Sequence, residues 1–216
     1  MTEMYWYVSR QKVDSLAPQL KAPRLDWLKE LSLTLKSPFA EAKVAVGPNS
    51  TSFGALRRVE AGLKKSQLVA EFPNLDHKVF FSFRLKAHRA VQGGAYFVVA
   101  AGDGVAVLLA GSLSNAIGMP PKESDAISPS VDPLGCIRRA FAELSQEESK
   151  HVGNDCGYVW ASLAGPMSQI CESLPEVEGI AVYGAAFAPP VAWFRQANFD
   201  GIDSMVVGSP IFVRQI

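Results

Sequence analysis

The sequence predicts an α+β fold: a mixed, mostly antiparallel sheet around a central β-hairpin, with four or so helices packed on it. Three observations carry this expectation. Residues 96–112, YFVVAAGDGVAVLLAGS, place continuous apolar runs on both sides of Gly102-Asp103-Gly104, and Gly and Asp tolerate the positive φ of tight hairpin turns. Neither run alternates polar with apolar, so both faces of the hairpin are expected to be covered. Strand-like segments also stand near both ends, MYWYVS at residues 4–9 and MVVGSPIFV at residues 205–213, with helical patterns between them.

Residues 4–9 are aromatic and β-branched, which suits a strand. Ser9 then stands at a helix cap ahead of Lys12, Val13 and Leu16, and Pro18 is expected to stop that helix. Pro23 opens a second helical pattern through Leu25, Leu28, Leu31 and Leu35, closed by Ser37-Pro38. Residues 43–52 contain Gly47-Pro48-Asn49 and read as a loop. Thr51 or Ser52 caps a further helix through Leu56, Val59 and Leu63 toward Val69.

Residues 79–85, VFFSFRL, predict a strand that Gln92-Gly93-Gly94 turns into the hairpin. Residues 119–132, with three prolines and three serines, form the longest irregular connection; loops of that length are commonly mobile or functional. Asp132-Pro133 starts a helix whose apolar stripe is Leu134, Ile137, Phe141 and Leu144. Another helix is expected over roughly residues 156–174, kinked or interrupted at Gly165-Pro166. Residues 180–187 and 205–213 complete the strands, the last with Pro210 at an edge or bulge. No internal repeat interrupts this order, and residues 1–216 read as a single α+β domain.

The segments YWYVSRQKVDSLAPQL, AYFVVAAGDGVAVLLAGSLSNAIG and VVGSPIFV resemble an uncharacterised bacterial family found mainly in actinomycetes. Its members open on an aromatic strand followed by Ser-x-x-Lys-Val-Asp, and close on a Gly-Ser-Pro or Gly-Thr-Pro strand. The resemblance covers the two ends and the middle of the chain. It implies an architecture without an activity, and a setting in genomes rich in defence and signalling modules.

Composition narrows the classes of function. Hydrophobic residues make up 48% of the chain and charged ones 19%, so a folded core is expected. Lys plus Arg number 21 and Asp plus Glu 21, which gives no overall pull toward nucleic acid or anionic membranes. Cys136, Cys156 and Cys171 are odd in number and lack CxxC spacing, so neither a disulfide framework nor a zinc cluster is expected. Reduced thiols suit a cytoplasmic protein. The N-terminal residues lack the basic and apolar regions of a signal peptide, and no uninterrupted apolar run reaches membrane-span length. No cofactor and no metal are expected.

Several residues are candidates for chemistry. Ser112, Ser114 and Asn115, followed by Gly118, leave the hairpin in a turn whose N–H groups and hydroxyls can cradle an anion; a capped turn with no ligand explains the same residues. Ser9, Lys12 and Asp14 stand where the first strand ends. A serine three residues before a lysine suits a nucleophile–base pair, but the favoured reading is structural: Ser9 caps, and Lys12 and Asp14 are solvated or paired. His151 and Cys156 lie five apart, a spacing that leaves a dyad open. Arg57, Arg58, Lys64 and Lys65 make one basic helix face, read mainly as the wet side of an amphipathic helix. Trp193 and Phe194, after two prolines, are candidate interface anchors in a loop, with plugging of the core as the alternative.

The leading expectation is a non-enzymatic binding or interaction module of a regulatory or defence type. It is expected to have a protein partner, with a homo-oligomer left open. A sensor of a small anion or nucleotide at the turn from Ser112 to Gly118, aided by Lys12 and Arg84, is the first alternative. A small hydrolase with Cys136, Cys156 or Ser112 as nucleophile is the second.

Overall fold

The computed structural model describes residues 4–20, 53–66, 68–75, 78–118, 132–147, 151–169, 173–197 and 199–216. Strand β1 (Met4–Val8) leads into helix α1 (Arg10–Gln19). Helix α2 (Phe53–Lys65) precedes the short β2 (Val69–Glu71) and the long β3 (Phe80–Gln92). The hairpin strands β4 (Ala95–Gly102) and β5 (Val105–Ser112) are followed by a 3-10 turn at Leu113–Asn115. Helices α3 (Pro133–Ser145) and α4 (Val152–Gln169) come next, then β6 (Glu176–Phe187), α5 (Val191–Gln196) and β7 (Ser204–Gln215). The class is α+β, as expected, and the seven strands form one sheet that is antiparallel except at β2–β3 and β5–β7.

Five strands close into a ring. β3 pairs with β4, β4 with β5, β5 with β7 and β7 with β6, and β6 returns to β3. β1 continues the edge of β7 beyond β5, pairing with residues 212–215, and β2 lies along the first residues of β3. Alternation along each strand then sorts side chains into an inside and an outside. Phe83, Val98, Leu109, Ala181 and Val206, one from each ring strand, belong to a single buried cluster to which no described α-helix contributes. That cluster fills the ring.

Two more clusters cover the outside. Helices α3, α4 and α5 pack on β4, β5 and the start of β7 through Ile137, Trp160 and Phe194. Helices α1 and α2 pack on β3, β6 and the end of β7 through Leu16, Val59 and Leu63. Both faces of the central hairpin are therefore covered, which explains why its strands carry apolar residues at nearly every position. Its turn uses left-handed backbone at Asp103 (φ 51°) and Gly104 (φ 78°), matching the twist of the flanking strands. The Asp132 carboxylate caps α3 by accepting from the Leu134 and Gly135 N–H groups, each at 3.1 Å.

The interior is tight around the bulky rings. A Cβ built on Gly111 of β5 would lie 2.6 Å from the Tyr7 ring carbon that bears the hydroxyl, so the absent side chain is what lets the phenol lie across β5. Tyr7 in turn stacks on Tyr96, with ring centres 5.5 Å apart. Gly111→Ala is expected to destabilise the fold by about 1–3 kcal/mol through overpacking, and Tyr7→Leu in the same chain should recover part of that loss. Urea unfolding checks this; a Gly111→Ala variant as stable as the parent would remove the role given to that contact.

Several boundaries differ from the sequence expectation. Helix α1 does not stop at Pro18 but runs to Gln19. A proline in a last turn forfeits little of the hydrogen-bond ladder, and the Leu20 N–H still reaches the Leu16 carbonyl at 3.1 Å. Helix α2 ends at Lys65 rather than continuing to Val69, which instead opens β2. Strand β3 extends past Leu85 to Gln92. Helix α4 begins at Val152 and passes through Gly165-Pro166 without a break. The helical pattern after Pro23 and the connections at residues 43–52 and 119–131 lie outside the described residues, as does Cys171. Among the described residues, no helix is long and apolar enough to cross a membrane.

Candidate functional site

Strand β7 has a vacancy along one edge. β5 flanks it over residues 204–208 and β1 over residues 212–215, which leaves Ser209, Pro210 and Ile211 without a neighbouring strand on that side among the described residues. Pro210 has no N–H to offer, so an open edge is where it costs least. The residue count slips here as well: β6 pairs Ile180 with Phe212 and Ala181 with Pro210, leaving Ile211 as the extra residue of a bulge. The first turn of α1 closes over the vacancy. The Ser9 N–H donates to the Ile211 carbonyl at 2.8 Å, and the Lys12 amine hydrogen-bonds the Ser209 hydroxyl and donates to the Pro210 carbonyl at 3.0 Å.

Around this contact the described residues gather a polar cluster between apolar layers. Ser9, Ser112, Asn115 and Ser209 are all buried. The Asn115 amide donates to the Tyr7 hydroxyl at 3.4 Å, and that phenol also lies within hydrogen-bonding reach of the Ser9 side chain and the Ser112 backbone. Ser112 and Ser114 share a hydroxyl–hydroxyl bond of 2.8 Å. Ser9 occupies the cap position of α1 without capping it through its side chain, which leaves the first N–H groups of that helix without their usual acceptor.

Burial dominates the electrostatics. It holds the Lys12 amine down to about 7 from an ordinary 10.5, with the Cys136 thiol of α3 opposing slightly. The cause is plain: the amine's partners are a hydroxyl and a carbonyl, and among the described residues no carboxylate pairs with it. Burial likewise raises the Tyr7 phenol to about 12, with the Asn115 hydrogen bond pulling the other way. An amine of this kind has two uses. As an ammonium it is a cation lacking a counter-charge; as a free amine it is a base.

The structure brings together most of the candidates read from the sequence. Ser9 meets the turn of Ser112, Ser114 and Asn115 through Tyr7, while Lys12, three residues further along α1, bonds Ser209 and the Pro210 carbonyl. Asp14 is half-buried on α1, two residues beyond Lys12 and hence roughly 200° around the helix. Sequence reading missed Ser209, the Pro210 carbonyl and Tyr7. The signal for the first two was Gly208-Ser209-Pro210: a proline inside a strand demands an unpaired edge, and that edge is the site.

Other candidates fall elsewhere. Trp193 and Phe194 are not in a loop but on α5, and Phe194 is 0% exposed. It meets Trp160 edge to face at 5.4 Å, so it plugs the core and cannot anchor a partner. Trp193 is half-buried against Tyr158, with ring centres 5.2 Å apart. Cys136 and Cys156 are buried thiols that burial shifts up, Cys156 to about 12. That is the reverse of what a nucleophilic cysteine needs, and exposed His151 lies outside the core that holds Cys156. Arg57, Arg58, Lys64 and Lys65 are exposed on α2, with Lys64 bonded to Glu60 at 2.9 Å. Arg84 pairs with Glu176 at 2.9 Å and lines a separate cleft of about 300 Å³ with Glu71 and Glu178. It takes no part in the Lys12 cluster. No group of three or more His, Cys, Asp or Glu is placed to hold a metal among the described residues.

A family of unknown function, DUF7019, matches residues 3–216, and Lys12, Ser209 and Pro210 all lie within the match. The chain belongs to this family. The resemblance to an uncharacterised family is thus borne out, and DUF7019 brings no activity with it. No match to this DUF7019 chain was found among curated proteins or solved structures.

Proposed function

We propose that the protein is a binding module for a small anionic ligand, one bearing a phosphate or carboxylate group, held at the Lys12 cluster. The observation that carries this reading is the Lys12 amine itself, set at the β7 vacancy with only neutral oxygens as partners. A bound anion supplies the missing counter-charge. The uncapped first turn of α1 adds N–H groups and the positive end of the helix dipole. Ser112, Ser114 and Asn115 supply neutral donors that orient the ligand without adding charge. The reading puts a small ligand ahead of a protein partner because Phe194 is buried, while Trp193 is half-buried and the 119–131 connection lies outside the described residues.

Thermal unfolding with inorganic phosphate, acetate and a nucleoside triphosphate tests the proposal. At least one anion should raise the melting temperature saturably, reaching about 2.7 kcal/mol of stabilisation at a hundredfold excess over its Kd. Lys12→Met should abolish the response, and Ser112→Ala combined with Asn115→Ala should weaken it. Binding requires the ammonium, so affinity should fall as pH rises past 7. A response unchanged in Lys12→Met would sink the reading, as would the absence of any response across the three anions.

A further inference from the structure

We infer that Ser209 is a nucleophile toward small acyl esters, with Lys12 as its general base and the Pro210 carbonyl as the group that orients the base. The inference does not rest on anion binding, since it uses the uncharged amine where that reading uses the ammonium.

The geometry is that of an activated nucleophile. A hydroxyl and a base stand within hydrogen-bonding distance, and the base is fixed by a third group. The hydrogen-bond inventory agrees. The Lys12 amine donates to both the Ser209 hydroxyl and the Pro210 carbonyl; on losing a proton it keeps an N–H for the carbonyl and turns its lone pair to the Ser209 hydroxyl, where it can take that proton. The edge vacancy on β7 leaves Ser209 free of a flanking strand on the side from which Lys12 approaches. The Ser9 side chain does not cap the first turn of α1, the turn that carries Lys12, and its uncapped N–H groups are the donors an oxyanion would draw on. The other titratable group acting on Lys12 among the described residues is Cys136 from α3, and burial keeps its thiol protonated at neutral pH. Ser209 is 4% exposed, which restricts the acyl donor to a short chain.

The step balances without a further reagent. The Ser209 oxygen adds to the ester carbonyl carbon as its proton passes to the Lys12 nitrogen. The tetrahedral adduct collapses, the alkoxide leaves with the proton from Lys12, and Ser209 carries the acyl group. Water, giving its proton to the same amine, then releases the acid and restores the hydroxyl. The net reaction is ester plus water to acid plus alcohol.

The test is p-nitrophenyl acetate with the intact protein, followed by peptide mapping of the acetyl group. The adduct is expected on Ser209, with a rate that rises through pH 7 and then levels. Ser209→Ala should remove the adduct. Lys12→Arg should lower the acylation rate at least about 100-fold, since a guanidinium cannot act as the base. Lys12→Arg keeps a cation, so anion-dependent stabilisation retained in that variant shows that the site still folds and separates the two readings. Acetylation mapped to Lys12 or to another residue overturns the inference, and so does an undiminished rate in folded Lys12→Arg. A folded parent protein that acquires no acetyl group also overturns it, while leaving anion binding intact.

Discussion

Lys12→Met is expected to stabilise the ligand-free protein at pH 6.5 and to flatten its pH dependence above neutrality. The native amine titrates near 7 and the unfolded one near 10.5. Below 7 both states hold the proton, and the folded protein bears the whole cost of a buried, uncompensated ammonium. Between 7 and 10.5 the unfolded chain binds a proton that the native one lacks, so stability rises with pH by roughly 1 kcal/mol per unit, after allowance for the side chain's partial exposure. Methionine has similar length and no charge, so the variant lacks this slope. Urea unfolding of both proteins at pH 6.5, 7.5 and 8.5 reads the difference. The raised thiols and phenols belong to both proteins and cancel in the comparison. Parallel curves would show that Lys12 is not held as described. A function-for-stability exchange of this kind is the usual mark of a binding residue.

Trp160→Ala should cost about 3–5 kcal/mol, in the range for a large aromatic removed from a core. Trp160 is fully buried, its indole N–H donates to the Ala100 carbonyl at 3.1 Å, and its ring meets Phe194 and Phe199 edge to face at 5.4 and 5.1 Å. One side chain thus links α4, β4 and α5. Trp160→Phe keeps much of the apolar volume but strands the carbonyl, so it should fall between parent and Trp160→Ala. Chemical denaturation gives the order directly. A loss below about 1 kcal/mol for Trp160→Ala would mean that the α3–α5 layer does not depend on this residue.

Both predictions concern residues whose roles the sequence revealed unequally. The hairpin at Asp103-Gly104, the α3 cap at Asp132 and the terminal strands were legible because local chemistry decides them: positive φ, a capping carboxylate, β-branched runs. The closure of β6 onto β3 was not. It depends on pairs such as Phe83 with Gly179, about a hundred positions apart, which no window of sequence compares. The site followed the same division. Lys12 and Ser112 drew notice from their own neighbours, whereas Ser209 became visible only when the end of β7 was laid beside the start of α1. Phe194 misled for the same reason, since a short aromatic segment after two prolines carries no local sign of which side meets the core.

Strand β7 follows every other described element in the chain, yet β1, β5 and β6 all pair with it. During translation those three strands emerge first and must wait, with main-chain edges and apolar inner faces exposed, until β7 has cleared the ribosome. The cylinder therefore closes only after β7 has emerged. Slow-translating stretches upstream bring no benefit to such a chain, and nascent-chain chaperones have a defined surface to shield in the interval.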